Sequence, residues 1–156
     1  MPRGQIATDD PCADDVRALL ERHLAYANAN SAPEDVHALD VDALLDPAVT
    51  FFSFRVDGEL LGVAALKRLD GRHAEIKSMH TAKAARGRGI GRALVEAVLA
   101  AAGERGVVVR PVGRNAEAIR FFHALGFDVL SRVELLRHSG DLWRRGERVA
   151  GRDLRV

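Results

Sequence analysis

Apolar and polar positions in the first half of the chain follow two different periods. Between Asp14 and Asn28, apolar residues recur every three or four positions behind two aspartates, which predicts an amphipathic helix. A strand-like run at 5–7 precedes this helix. A short apolar run at 40–45, stopped by an Asp-Pro pair, predicts a second and shorter helix.

Three strand-like runs come next along the chain. They cover residues 49–56, 59–69 and 74–81, and Asp-Gly pairs of the kind found in tight turns separate them. The first run is rich in β-branched and aromatic residues. Because consecutive strands joined by tight turns pair with their sequence neighbours, these runs predict an antiparallel meander.

After the meander, the spacing of apolar residues changes from every second position to about every fourth. Residues 92–104 are rich in alanine and leucine and predict a helix. Its apolar face is expected to consist of Leu94, Ala97, Val98 and Ala101. The wholly apolar run at 107–109 is typical of a strand that is buried on both faces.

The last part of the chain predicts one more helix and then a return to strand. Residues 115–125 have helical periodicity, residues 127–136 are strand-like, and the tail at 139–156 is compatible with a terminal hairpin. No repeat or low-complexity segment interrupts the sequence. We therefore expect one domain over residues 4–156, with the tail as its C-terminal extension.

Composition narrows the class of protein. The chain has 156 residues, of which 47% are hydrophobic and 29% charged, as is ordinary for one globular domain. A net charge of +1 and an aromatic share of 5% disfavour a nucleic-acid module, and no window predicts a membrane span or a signal peptide. The lone cysteine, Cys12, cannot form an internal disulfide, and the histidines lack metal-ligand spacing. We expect a cytoplasmic protein without metal, nucleic-acid or membrane partners.

The segment Arg86–Arg92 is rich in glycine and arginine and lies between a predicted strand and a predicted helix. Glycines allow a tight turn and a close approach to a ligand, and the helix directs its free N–H groups into the same space. These features favour a pyrophosphate site. The segment lacks the Gly-Lys-Ser/Thr of nucleotide hydrolases, and its G-x-G-x-G spacing differs from the dinucleotide fingerprint. A glycine-rich turn with solvated arginines is the alternative.

The wider pattern resembles the GNAT superfamily of acyl-CoA-dependent N-acetyltransferases. Arg86, Gly89 and Gly91 match its Arg-x-x-Gly-x-Gly signature, and the Asn-led helix at 115–122, followed by Leu-Gly-Phe at 125–127, is similar to its second signature. The resemblance covers about residues 4 to 137. It implies an α+β or α/β fold with an antiparallel meander, a splayed parallel strand pair and about four helices.

The resemblance also implies acetyl-CoA as cosubstrate and assigns residues to it. Pantetheine would insert between the strands at 74–81 and 107–112 and pair with the backbone of Met79, His80 and Thr81. The pyrophosphate would be held by the N–H groups of Gly87, Arg88, Gly89, Ile90, Gly91 and Arg92, with added charge from Arg86, Arg88 and Arg92. Asn115 would contact CoA near its pantetheine arm, and Phe122 would lie on the helix face that looks toward the sulfur.

Two residues are candidate general bases. A glutamate at the spacing of Glu75 serves as base in some family members; the alternative is a strand-end carboxylate paired with Lys77 or an arginine. His80 has a suitable unperturbed pKa, and a packed or solvent-facing histidine is its alternative. A backbone N–H near Met79 would polarise the thioester carbonyl. Phe122 occupies the position of the family's tyrosine acid, so protonation of the thiolate falls to water or is absent.

These features predict an enzyme that transfers an acetyl group from acetyl-CoA to an amine by direct attack in a ternary complex. The acceptor is a small-molecule amine, a peptide N-terminus or a lysine, and the protein a monomer or homodimer. The resemblance implies that residues 26–45 build most of the acceptor pocket, where Asp35, Asp40 and Asp42 form either a site for a cationic amine or a solvated face. The alternative function is a catalytically silent acetyl-CoA-binding sensor or partner subunit.

Overall fold

The computed structural model describes residues 3–30, 41–111, 115–128, 146–149 and 152–155. The chain divides into two units, Met1–Arg110 and Pro111–Val156.

A five-stranded sheet forms the centre of the first unit, in the order β1-β2-β3-β4-β5. Its strands are Gln5–Thr8, Val49–Val56, Glu59–Arg68, His73–Thr81 and Gly106–Val108, numbered β1 to β5 in that order. The first four strands pair antiparallel, which confirms the meander, and β5 runs parallel to β4. Asp57 and Gly58 join β2 to β3 with positive φ angles of 49° and 84°, as a tight hairpin turn requires.

Helices cover both faces of the sheet. The helices of this unit are α1 (Asp14–Asn30), α2 (Val41–Leu44) and α3 (Ile90–Ala102). One face packs against α1 and α2 through a buried apolar cluster of Val16, Leu19, Leu20, Leu44, Phe51, Val63 and Ala65. On the opposite face of β3, the Cα of Gly62 lies against Ile90 and Leu94 of α3. Removal of these apolar side chains from water is the main force that holds the layers together.

Helix α3 begins two residues earlier than its sequence predicts and buries a slightly different face. The buried side chains are Ile90, Leu94, Val95, Val98 and Ala102. The expected core residue Ala101 is exposed. The helix begins at Ile90, next to the glycine-rich loop, and the side chain of Ile90 is 1% exposed and packs in the core.

The valines of β5 differ from the expectation of a strand that is buried on both faces. Val107 and Val108 are only partly buried, because β5 is the last strand of the sheet in the described part of the chain. The second unit contains α4 (Ala116–Ala124) and two strands in the tail, β6 (Gly146–Val149) and β7 (Arg152–Arg155), which pair antiparallel. The strand expected at 127–136 lies outside the described residues from position 129 onward.

Candidate active site

The parallel pair β4–β5 opens along its length. The two strands pair only at the start of β4, where His73, Ala74 and Glu75 face β5, whereas β4 continues to Thr81. Among the described residues, the second half of β4 therefore has no strand partner on this side. The splayed strand pair implied by the family resemblance is confirmed.

A β-bulge interrupts β4 beside this opening. Val63 of β3 pairs with His80, and Ala65 pairs with Lys77, so that one residue of β3 faces both Ser78 and Met79. Ser78 has a φ of 49°, which is uncommon for a residue other than glycine. The extra residue places His80 on the same sheet face as Lys77, the face that packs against α1. No glycine or proline in the sequence marks this bulge.

Glu75 is buried and ion-paired at both carboxylate oxygens. Its side chain is 2% exposed; Oε1 forms an ion pair with Lys77 Nζ at 3.1 Å, and Oε2 accepts from Arg110 NH1 at 3.0 Å. Lys77 lies on the same strand, and Arg110 follows β5. The carboxylate therefore links the two strands where they begin to separate, which is the ion pairing that the sequence left open.

His80 contacts a histidine that the sequence did not single out. Nδ1 of His80 lies 3.2 Å from Nδ1 of His23 on α1, and the ring centroids are 5.0 Å apart. Burial lowers the pKa of both imidazoles, and the charges of His23, Arg86 and Arg22 further lower that of His80, to about 4. Both rings are therefore neutral at pH 7. The helical periodicity of α1 could have placed His23 on its inner face, but nothing in the sequence pairs it with His80.

The side chain of Arg86 is directed toward α1. Its guanidinium carbon lies 5.7 Å from the ring centroid of Tyr26, and its Nε donates to the carbonyl of Thr81 at 3.4 Å. Arg86 therefore contacts both the end of β4 and the C-terminal half of α1.

The loop from Arg86 to Gly89 has the backbone shape expected of an anion site. Gly87 and Gly89 have φ angles of 73° and 79°. In the described structure, no side chain caps the N-terminus of α3, so that its first N–H groups point into the loop. Arg88 is exposed, whereas Nε of Arg92 donates to Glu96 at 3.2 Å, which offsets part of its charge.

Asn115 and Phe122 belong to the second unit and have local partners there. The side-chain oxygen of Asn115 accepts from the N–H of Ala118 at 3.0 Å and caps α4. The ring of Phe122 makes edge contacts with Phe121 and Phe127 at centroid distances of 5.1 and 5.5 Å. These contacts give both residues a structural role, and their contacts with CoA stay predictions.

Three further features concern partners. No cluster of three or more potential metal ligands occurs in the described residues. None of the helices in that part of the chain is long and apolar enough to cross a bilayer. Of the three aspartates expected near the acceptor, Asp42 is exposed, and Asp35 and Asp40 lie outside the described residues.

Comparison with known proteins agrees with this geometry. Residues 15–127 match the model of the acetyltransferase (GNAT) family. The chain is 41% identical over 100 residues to the uncharacterized N-acetyltransferase YedL of Escherichia coli, covering 64% of this chain and 63% of that protein. It is 38% identical over 101 residues to the uncharacterized N-acetyltransferase YsnE of Bacillus subtilis, covering 65% and 67%. The matched part of the chain thus spans less than two thirds of the length of YedL.

Solved structures show the same fold. A ribosomal-protein-alanine N-acetyltransferase from Brucella melitensis superimposes with a TM-score of 0.66 at 22% identity, over 86% of this chain and 99% of that one. An acetyltransferase of the GNAT family from Staphylococcus aureus superimposes with a TM-score of 0.58 at 18% identity, over 86% and 94%. The sheet, the loop and these matches agree: the chain belongs to the GNAT family of acetyltransferases.

Proposed function

We propose that this protein transfers the acetyl group of acetyl-CoA to an amine by direct attack in a ternary complex. The observation that carries the proposal is the uncapped N-terminus of α3, reached through two glycines with positive φ, beside the open half of β4. The loop suits a pyrophosphate. The last residues of β4, Met79 to Thr81, have no strand partner on this side among the described residues and suit an extended pantetheine arm, which needs backbone partners. The N-acetyltransferase domain would cover residues 4–156.

Acetyl-CoA would lie along Met79, His80 and Thr81, with its phosphates at the N–H groups of 87–92. The bulge at Ser78 changes the direction of the backbone N–H groups at this point of β4. A backbone N–H near Met79 would stabilise the oxyanion that forms when the amine attacks the thioester carbonyl. Asn115 and Phe122 stay proposed contacts of CoA, as the family resemblance implies.

His80 is the better supported of the two candidate bases. Both oxygens of Glu75 are engaged by cations, and its side chain is 2% exposed. His80 is half-buried and neutral at pH 7. In the tautomer in which His80 Nδ1–H donates to His23, the Nε2 lone pair is available to accept the amine proton, directly or through water.

The departing thiolate needs little help. Attack by the amine nitrogen forms the amide bond and breaks the carbon–sulfur bond, and the amine proton passes to His80 or to water. A thiol has a reference pKa near 8.5, so the thiolate is a good leaving group that takes up a proton from solvent at pH 7. Phe122 cannot donate a proton, so this step would rely on solvent. The acceptor would be a small-molecule amine, a peptide N-terminus or a lysine.

Phe122 and the double ion pair of Glu75 also favour the second candidate, an acetyl-CoA-binding sensor without turnover. Thiol release from acetyl-CoA, measured with a panel of amines, separates the two functions when run beside a thermal-shift titration with CoA. Turnover with at least one amine supports the transferase. A CoA-dependent shift without turnover on a broad panel supports the sensor, and the absence of any shift contradicts both.

A further inference from the structure

The histidine pair lies on the α1 side of β4, where Arg22 directly precedes His23 in α1 and Arg86 follows the end of β4. Arg86 stacks on Tyr26, and Arg22 precedes Tyr26 by one helical turn on the same face of α1. The positive charges of both arginines lower the pKa of His80, which agrees with this placement. In the described residues, neither arginine forms an ion pair with a carboxylate, whereas Arg55, Arg92 and Arg110 each do.

This cluster disfavours a positively charged ligand. Its four polar members are two guanidiniums and two neutral imidazoles, His23 and His80, which are partly removed from water. A cation bound beside them would lose hydration and be repelled by both guanidiniums. A carboxylate would instead receive charge-assisted hydrogen bonds from the arginines.

The same field would assist an amine that carries its own negative group. Positive neighbours lower the pKa of a nearby ammonium, which raises the fraction of neutral amine that can attack a thioester. A carboxylate on the same molecule would offset the unfavourable placement of the amino group. Binding and reactivity therefore favour the same class of acceptor.

We propose that Arg22 and Arg86 form a carboxylate subsite beside the His23–His80 pair, and that the acceptor is an amine with a carboxylate near its amino group, as in an amino acid. The proposal rests on the transferase function proposed above. It is an alternative to the site for a cationic amine that the three aspartates left open beside a solvated face.

The phosphates of CoA are the other source of such an anion. The sheet lies partly between the proposed carboxylate subsite and the loop that would hold the CoA phosphates. His80 shares the sheet face that packs against α1, whereas α3, which follows the loop, packs against the opposite face. The side chain of Arg86 is turned toward Tyr26. This arrangement favours the acceptor as the source of the carboxylate.

The test compares L-amino acids with their carboxamides, which keep the amine and the side chain and lack the negative charge. Binding of each pair to the CoA-saturated protein is measured by calorimetry, and turnover by thiol release from acetyl-CoA. We expect at least one amino acid to be preferred over its amide by about 10- to 100-fold in Kd and kcat/KM, and Arg22→Gln to abolish most of that preference. Arg17→Gln, which changes an exposed arginine elsewhere on α1, should keep it.

The outcomes separate the subsite from the transferase. Preferred binding of an amino acid without turnover supports the subsite and contradicts the transferase. Turnover of amides and amino acids with equal kcat/KM, or no binding of either, overturns the subsite. A loss of CoA affinity in Arg22→Gln with an unchanged acceptor preference assigns the arginine to a CoA phosphate and also overturns the proposal.

Discussion

Glu75 and Arg110 join the two strands at the point where the sheet begins to open, with Arg110 NH1 donating to Glu75 Oε2 at 3.0 Å. Lys77 engages the other carboxylate oxygen at 3.1 Å. The Glu75 carboxylate therefore holds β4 and β5 together where the opening begins. We expect its removal to lower the stability of the fold more than the rate of the reaction.

Glu75→Gln is expected to lower the free energy of unfolding by about 1–3 kcal/mol, because it leaves Lys77 without its buried partner charge. Arg110→Gln should cost less, since that side chain is 53% exposed and solvent screens its charge. Urea unfolding measures both variants. A Glu75→Gln protein as stable as its parent, with kcat lowered roughly 10²–10⁴-fold, would instead identify Glu75 as the general base.

Gly89→Val is expected to remove the stabilisation by CoA. At ~100 times its Kd, CoA should add about 2.7 kcal/mol to the unfolding free energy of the parent. Valine disfavours the φ of 79° at Gly89, and its side chain would crowd the phosphates. Gly58→Val is the matched control, since Gly58 also has a positive φ, of 84°, and no atom lies within 4 Å of the position that a Cβ would take. Its turn is remote from the loop in sequence. A folded Gly89→Val protein with the full CoA-dependent gain would contradict the assigned loop.

Gly62→Ala should destabilise the packing of α3 on the sheet. A Cβ at this position would lie 3.0 Å from Ile90 Cγ2 and from Leu94 Cδ1, and 3.3 Å from the carbonyl of His80. We expect a loss of about 1–3 kcal/mol, as for other overpacked positions. Gly71→Ala, with no atom within 4 Å, should change stability by less than about 0.5 kcal/mol. Equal stability of the two variants would contradict this packing.

Stability should fall as the pH is lowered below about 6.5, because His80 titrates near 4 in the folded protein and near 6.5 when unfolded. Between these values the unfolded chain binds more protons, so acid favours unfolding. His80→Gln should lose less stability between pH 7.5 and 5 than the parent, measured by urea unfolding at each pH. His123→Gln, at an exposed histidine, should behave like the parent. An unchanged pH dependence in His80→Gln would show that this ring is not kept neutral by its surroundings.

Much of the first unit follows from local sequence pattern. The meander, α1, α3 and the glycine-rich loop were all predictable, because each depends on residues that are close together in the chain. The Asp-Gly turn at 57–58 has the positive φ angles that this pair commonly adopts.

The details of the candidate site depend on contacts that no local pattern encodes. His23 and His80 are 57 residues apart, and Arg110 is 35 residues from Glu75. A strict alternation of faces along β4 predicts that His80 and Lys77 lie on opposite faces of the sheet. The bulge at Ser78 shifts this alternation by one residue and puts both on the same face. The family resemblance supplied Glu75 as a candidate base and the unperturbed pKa of imidazole supplied His80, and only the tertiary structure shows which partners each has.

The order of strands in the sheet has a consequence for how the protein folds. The antiparallel pairs β2–β3 and β3–β4 are joined by short turns and need little chain entropy to close. The β4–β5 pair needs α3 to cross a face of the sheet first, because a parallel connection must bring the chain back to the end of the sheet at which β4 begins. The meander is therefore expected to assemble early and the three-residue pairing of β5 late. The opening along β4 would then be the last part of the sheet to take shape during folding.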